Sequence, residues 1–148
     1  MTRINIVPVT ELMDQHLIAE YREINMIPAS LKRTLVSKTG LNLENISDVY
    51  TLNKGHIYFF YNKGKYLEDR YRLLKNEMEE RGFNPDSRRK FPAKIFKDNG
   101  LFNNWTPSQH EYSIIRERIE EKIKQNPNWY RKTEKQCHGF EQSNQGTV

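Results

Sequence analysis

"TELMDQHLIAEYREIN", residues 10–25, decides how the chain reads. Met13, Leu17, Tyr21 and Ile24 recur at the i, i+4, i+7/8 spacing of a helix with one apolar stripe. Thr10 is placed to cap its start, and Pro28 follows soon after an end near Asn25. At roughly 100° per residue, such a helix brings His16 and Glu23 together at one margin of the stripe. Gln15, Ala19 and Arg22 continue from there toward the polar side. A carboxylate, an imidazole, an amide and a guanidinium therefore share one stretch of surface. On periodicity alone this reads first as a solvated face.

Two more stretches carry the same period. In "GKYLEDRYRLLKNEMEERGF" (64–83), Leu67, Tyr71, Leu74 and Met78 form a stripe. Gly82 suits the residue just past the helix end, and Phe83 can add the apolar contact of a Schellman motif. In "TPSQHEYSIIRERIEEKIKQNP" (106–127), Thr106 and Gln109 make a candidate capping box with Pro107 in the first turn, and Pro127 ends the segment. Tyr112, Ile115, Ile119 and Ile123 are its expected buried face. Arg118 and Lys122, four apart, project together from another, where they can pair with nearby glutamates or span two phosphates.

The connections are polar. "SKTGLNLENISD" (37–48) and "NPDSRRKFPAKIFKDNG" (84–100) have the composition of loops. The second sets Arg88, Arg89, Lys90, Lys94 and Lys97 around Phe91 and Phe96. "HIYFFY" (56–61) has strand-like composition but no partner strand, so it reads as an extended core segment. Residues 133–148 lack periodicity and read as a disordered tail. The expectation is an all-α fold: one domain over residues 1–132, built on three main helices with long polar loops.

Composition narrows the partners. Of 148 residues, 36% are hydrophobic and 29% charged, so the core must be economical. Twenty-four Lys+Arg against 19 Asp+Glu leave a net charge of +5, which favours an anionic partner, nucleic acid before anionic membrane. The longest apolar run, Ile57–Tyr61, is far too short to cross a bilayer. With Arg3, Glu11, Asp14 and Glu20 interrupting it, the opening stretch is not expected to be a signal peptide, and the single cysteine, Cys137, suits a reducing cytoplasm. His16, His56, His110 and His138 have no metal-site spacing, and "HEYSI" fails the HExxH pattern at Ile114. There is no CxxC pair, phosphate-cradling glycine loop or GxSxG elbow. An enzyme built from these residues is expected to work without a metal or cofactor.

"MTRIN" followed by "LMDQHLIAEYRE" resembles the start of the viral pyrimidine-dimer DNA glycosylase/AP lyase family, the endonuclease V type of UV-damage repair. "GHIYFFYNK", "ERGFN" and "PNWY" resemble its later landmarks, in the same order and at similar spacing. The likeness spans about residues 2–132. It implies a compact helical domain that acts on duplex DNA carrying UV lesions or abasic sites, excising cyclobutane dimers and then cutting the abasic strand. A monomer is expected because no apolar stripe is left over once the three core faces are assigned.

By that resemblance the nucleophile is the Thr2 α-amine, exposed by removal of Met1, and Glu23 is the catalytic carboxylate. An α-amino group has a pKa of about 7.7–8.0 against about 10.4 for lysine, so roughly a tenth is free base at neutral pH. Arg3 beside it disfavours a second positive charge. The resemblance also assigns DNA contacts to Arg3, Gln15, His16, Arg22, Arg118 and Lys122. Trp129, Tyr130 and Arg131 match its aromatic C-terminal segment, either as lesion contacts or as a packing lid. Met26 stands where some relatives have a basic residue. The other reading is a basic helical protein that binds bent or damaged DNA without catalysis. The basic runs would suffice for that.

Overall fold

Residues 14–23 wind as helix α1 (Asp14–Glu23) and bury Leu17 and Tyr21, with Ile24 just beyond the end equally enclosed. The computed structural model describes residues 4–46, 49–52 and 55–134, and every regular element among them is helical. After α1 come α2 (Met26–Leu35), α3 (His56–Phe59), α4 (Gly64–Glu80), α5 (Lys94–Asp98) and α6 (Gln109–Gln125). Short 3-10 turns occupy Val9–Glu11 and Leu43–Asn45.

The centre of the fold is α1 against α4. Leu67, Tyr71, Leu74 and Met78 turn inward from α4, as their spacing predicts. Tyr21 stacks on Tyr71 with ring centroids 5.4 Å apart. Polar side chains are enclosed with them. Arg70 grips Glu20 through Nε and Nη2 at 2.7 and 3.0 Å, while Arg81 bonds Asp14 at 3.0 Å and Glu77 at 2.9 Å. Pairing of 14 with 81 and 20 with 70 makes the helices antiparallel. With little apolar material available, the interface is completed by ion pairs whose hydrogen bonds offset their desolvation.

The helix ends follow the local chemistry, with two corrections. Gly82, at φ 90°, ends α4 in a Schellman motif: its N–H donates to Glu79 O, and that of Phe83 to Met78 O at 2.9 Å. Helix α1 starts at Asp14 rather than near Thr10. Arg81 Nη2 holds the Val9 carbonyl at 3.2 Å and that of Thr10 at 3.5 Å, and Leu12 is extended and buried. The chain thus reaches α1 through a separate turn. At α6 the capping pair is Ser108 with Glu111 rather than Thr106 with Gln109. The Ser108 N–H and hydroxyl both reach the Glu111 carboxylate, at 2.7 and 2.8 Å. Of the expected α6 face, Ile115 is fully buried and Tyr112 and Ile119 pack against the core, while Ile123 is only partly covered.

Three elements differ from expectation. Pro28 does not stop the chain: it is the third residue of α2, in a first turn whose N–H groups have no helical acceptor anyway. Segment 56–61 is a helical turn, not an extended segment. With no strand among the described residues to pair with, its N–H groups bond locally, Phe59 to Gly55 O and Phe60 to Ile57 O. Winding also sends Phe59, Phe60 and Tyr61 inward, where Phe59 and Phe60 join Tyr50, Tyr66 and Trp105 in one aromatic cluster. The loop 84–100 contains α5 and is pinned by Arg89, which lies over the Tyr21 ring and donates to the Tyr21 and Arg22 carbonyls at 2.6 and 3.1 Å. Arg88 pairs with Asp86 and Lys94 with Asp98. Much of this run is therefore engaged within the fold.

Gly64 opens α4 directly beneath Phe96, and a methyl group there would overlap Phe96 Cβ and Cγ. Because Phe96 is fully buried and cannot withdraw, Gly64→Ala is expected to destabilise the fold by about 1–3 kcal/mol, the range for overpacking. Denaturant titration of the two proteins checks this; an unchanged midpoint would show that Phe96 can shift freely.

Candidate active site

His16, Ala19, Glu20 and Glu23 follow one another at +3, +4 and +7 along α1 and so share a face. Arg118, Ile119 and Lys122 of α6 stand opposite, with Asn5 and Tyr130 contributed by the segments before α1 and after α6. These nine residues line an open cavity of about 280 Å³. Of the sequence-predicted site residues it unites His16, Glu23, Arg118, Lys122 and Tyr130.

The charges within it are not equivalent. Glu20 is buried and neutralised by Arg70. Glu23 is half-buried and, among the described residues, has no ion-pair partner; the same holds for Arg118 and Lys122. Among the described residues, one carboxylate and two cations thus face the cavity without an ion-pair partner. His16 stacks on Tyr130 at 4.8 Å, and its buried Nδ1 has no hydrogen-bond partner among the described residues. Burial first, and the Arg118 charge second, hold its pKa below the usual histidine value, with Glu20 opposing them. The imidazole is therefore mainly neutral at pH 7. An NMR titration should place its midpoint below ~6.5, and Arg118→Ala should raise it by removing a like charge. A midpoint that ignores Arg118 would contradict this arrangement.

The first turn of α1 anchors the wall that carries Tyr130. The Asp14 N–H donates to Arg131 O at 2.6 Å. The Asp14 carboxylate accepts the Thr133 N–H at 3.0 Å and its hydroxyl at 2.5 Å. Gln15, expected at the DNA, commits both ends of its amide here: Nε2 donates to Trp129 O at 2.5 Å, and Oε1 accepts the Arg131 N–H at 3.0 Å. Trp129 meets Tyr130 edge-on at 5.0 Å and stays 54% exposed. Arg131 is exposed as well.

Arg22 is exposed on α1 and does not line the cavity. Thr2 and Arg3 lie outside the described residues, as does the tail from 135 onward. The site residues that sequence reading missed are Asn5 and Glu20. Glu20 carried a signal, lying four residues after His16 and three before Glu23 on the same face. Asn5 carried none, because irregular backbone has no period to read.

A family model for pyrimidine dimer DNA glycosylases matches residues 1–91. The match includes the α1 face and Asn5. Arg118, Lys122 and Tyr130 fall beyond it and join the site by geometry.

Proposed function

The chain belongs to the pyrimidine dimer DNA glycosylase family, DNA repair enzymes acting on UV-damaged DNA, and on that premise we propose that it is a bifunctional glycosylase and abasic-site lyase using the Thr2 α-amine as nucleophile. Removal of Met1 frees that amine. Its lone pair attacks deoxyribose C1′ as the C1′–N glycosidic bond breaks, and the base leaves with the bonding pair and takes up a proton. Cleavage of the C1′–O4′ bond, with transfer of the amine proton, leaves an iminium between Thr2 N and C1′. Loss of a C2′ proton then expels the 3′ phosphate by β-elimination. Water finally frees the amine from the unsaturated sugar fragment.

The observation that carries this reading is the Glu23 carboxylate, facing two cations across a cavity lined also by Asn5, three residues along from Thr2. Glu23 stabilises positive charge developing at the sugar and assists the proton transfers. Arg118 and Lys122 take phosphates flanking the displaced nucleotide. Neutral His16 with Tyr130 presents a flat stacked surface to a base leaving the helix. Arg3 and Arg22 add phosphate contacts, and Trp129, Tyr130 and Arg131 lie toward the lesion. The enzyme works as a monomer and needs no cofactor for these steps.

The test is reductive trapping. Borohydride added to the protein with duplex DNA containing a cyclobutane dimer should give a covalent protein–DNA adduct, and without borohydride a β-elimination product. DNA binding with neither product, on dimer and abasic substrates alike, would leave only a binding protein.

A further inference from the structure

We infer that His56, remote in sequence from the cavity, is a positioning residue for the N-terminal reagent: its imidazole holds the backbone of Ile4, two residues from Thr2. This rests on the reading of the Thr2 amine as nucleophile.

Ile4 is fully buried, and its N–H donates to His56 Nε2 at 2.9 Å. A ring nitrogen that accepts carries no proton, so the proton lies on Nδ1, which donates to Thr51 O at 2.8 Å. The ring is thereby fixed as one neutral tautomer, with both nitrogens engaged and only 1% of the residue exposed. Tyr50 and Phe60 pack edge-on against it at 5.5 and 5.3 Å. The Tyr50 hydroxyl also donates to Ile4 O at 3.1 Å, so both polar groups of the Ile4 backbone are held from one side.

Further along, Arg70 Nη1 donates to Val7 O at 2.5 Å. Between these anchors the Val7 N–H bonds Asn5 O, and Ile6 takes φ 45°. A β-branched residue adopts that left-handed backbone only where its surroundings impose it. The anchored turn sends Ile6 into the core and leaves Asn5 on the cavity. From a fixed Ile4, two Cα steps of about 3.8 Å bound how far the Thr2 amine can stray. A nucleophile on a chain end otherwise carries all the freedom of that end, and displacement of about 1 Å can cost ~10² in rate.

Paired substitutions separate positioning from simple core packing. His56→Gln places an amide oxygen near the Nε2 position and keeps an acceptor for the Ile4 N–H. His56→Asn leaves a polar group near the Nδ1 position but none within reach of Ile4. Single-turnover excision of dimer-containing DNA at saturating protein, well below both melting temperatures, should fall about 10²-fold in His56→Asn. DNA affinity should stay within about threefold, and His56→Gln should recover most of the rate. Should His56→Asn fail to fold, Tyr50→Phe, which removes the second hold on Ile4, is expected to lower the same rate about tenfold.

A folded His56→Asn protein with the native single-turnover rate would overturn the inference. So would equal losses in the Asn and Gln variants, or a native rate for Tyr50→Phe where His56→Asn does not fold. The nucleophile reading fails separately, if the unmodified protein is trapped on DNA through an amine other than that of Thr2.

Discussion

Glu23→Gln is expected to slow base excision by about 10²–10⁴-fold, the usual range for losing a positioned acid–base or electrostatic group. The substitution preserves shape and removes only the charge. Among the described residues Glu23 has no ion-pair partner, so none of them loses one, and the melting temperature should barely change. DNA binding should be kept or slightly strengthened, because the substitution removes a negative charge from the cavity that Arg118 and Lys122 also line. Binding measured at fixed salt beside single-turnover excision checks both halves. Native excision in the glutamine variant would remove Glu23 from the chemistry, while a parallel loss of binding would make it a structural residue.

The second large effect concerns the start of the chain. Protein that retains Met1 should excise at least 10²-fold more slowly than the same protein with Met1 removed. The extra residue moves the free amine by about 3.8 Å, well beyond the tolerance of a near-attack geometry. Aminopeptidase treatment that releases Met1 should restore activity without any substitution elsewhere in the chain. Equal rates before and after release would show that the terminal amine is not the reagent. This effect would be invisible in DNA affinity, since phosphate contacts do not depend on that atom.

How far the sequence revealed this arrangement depended on how local the determining forces were. The stripes of α1 and α4 and the Gly82 helix end were legible, because each is set within a few residues. Segment 56–61 was not. Its composition suits a strand, and only the missing partner strand and the waiting aromatic cluster make it a helical turn. Helix α2 was hidden because Pro28 reads as a terminator unless it falls in a first turn. The Asp14–Arg81 and Glu20–Arg70 pairs join residues far apart in sequence, and no period announces them.

At the site, helical spacing placed His16 beside Glu23 and Arg118 beside Lys122, but not the two pairs across one cavity. That takes the tertiary packing of α6, and the docking of residues 129–133 onto the first turn of α1. Gln15 shows the limit from the other side. Periodicity set it on a solvated face and the family resemblance gave it a DNA contact, and neither announced that its amide binds the backbone that carries Tyr130.

The proposed reagent that bonds to DNA is the N-terminal amine, and Lys122 in the cavity offers a second primary amine. Borohydride-trapped adduct should therefore be digested and the modified residue located by mass spectrometry. The sugar remnant is expected on the α-amine of Thr2, with Met1 absent. A remnant on the Lys122 side chain would contradict it.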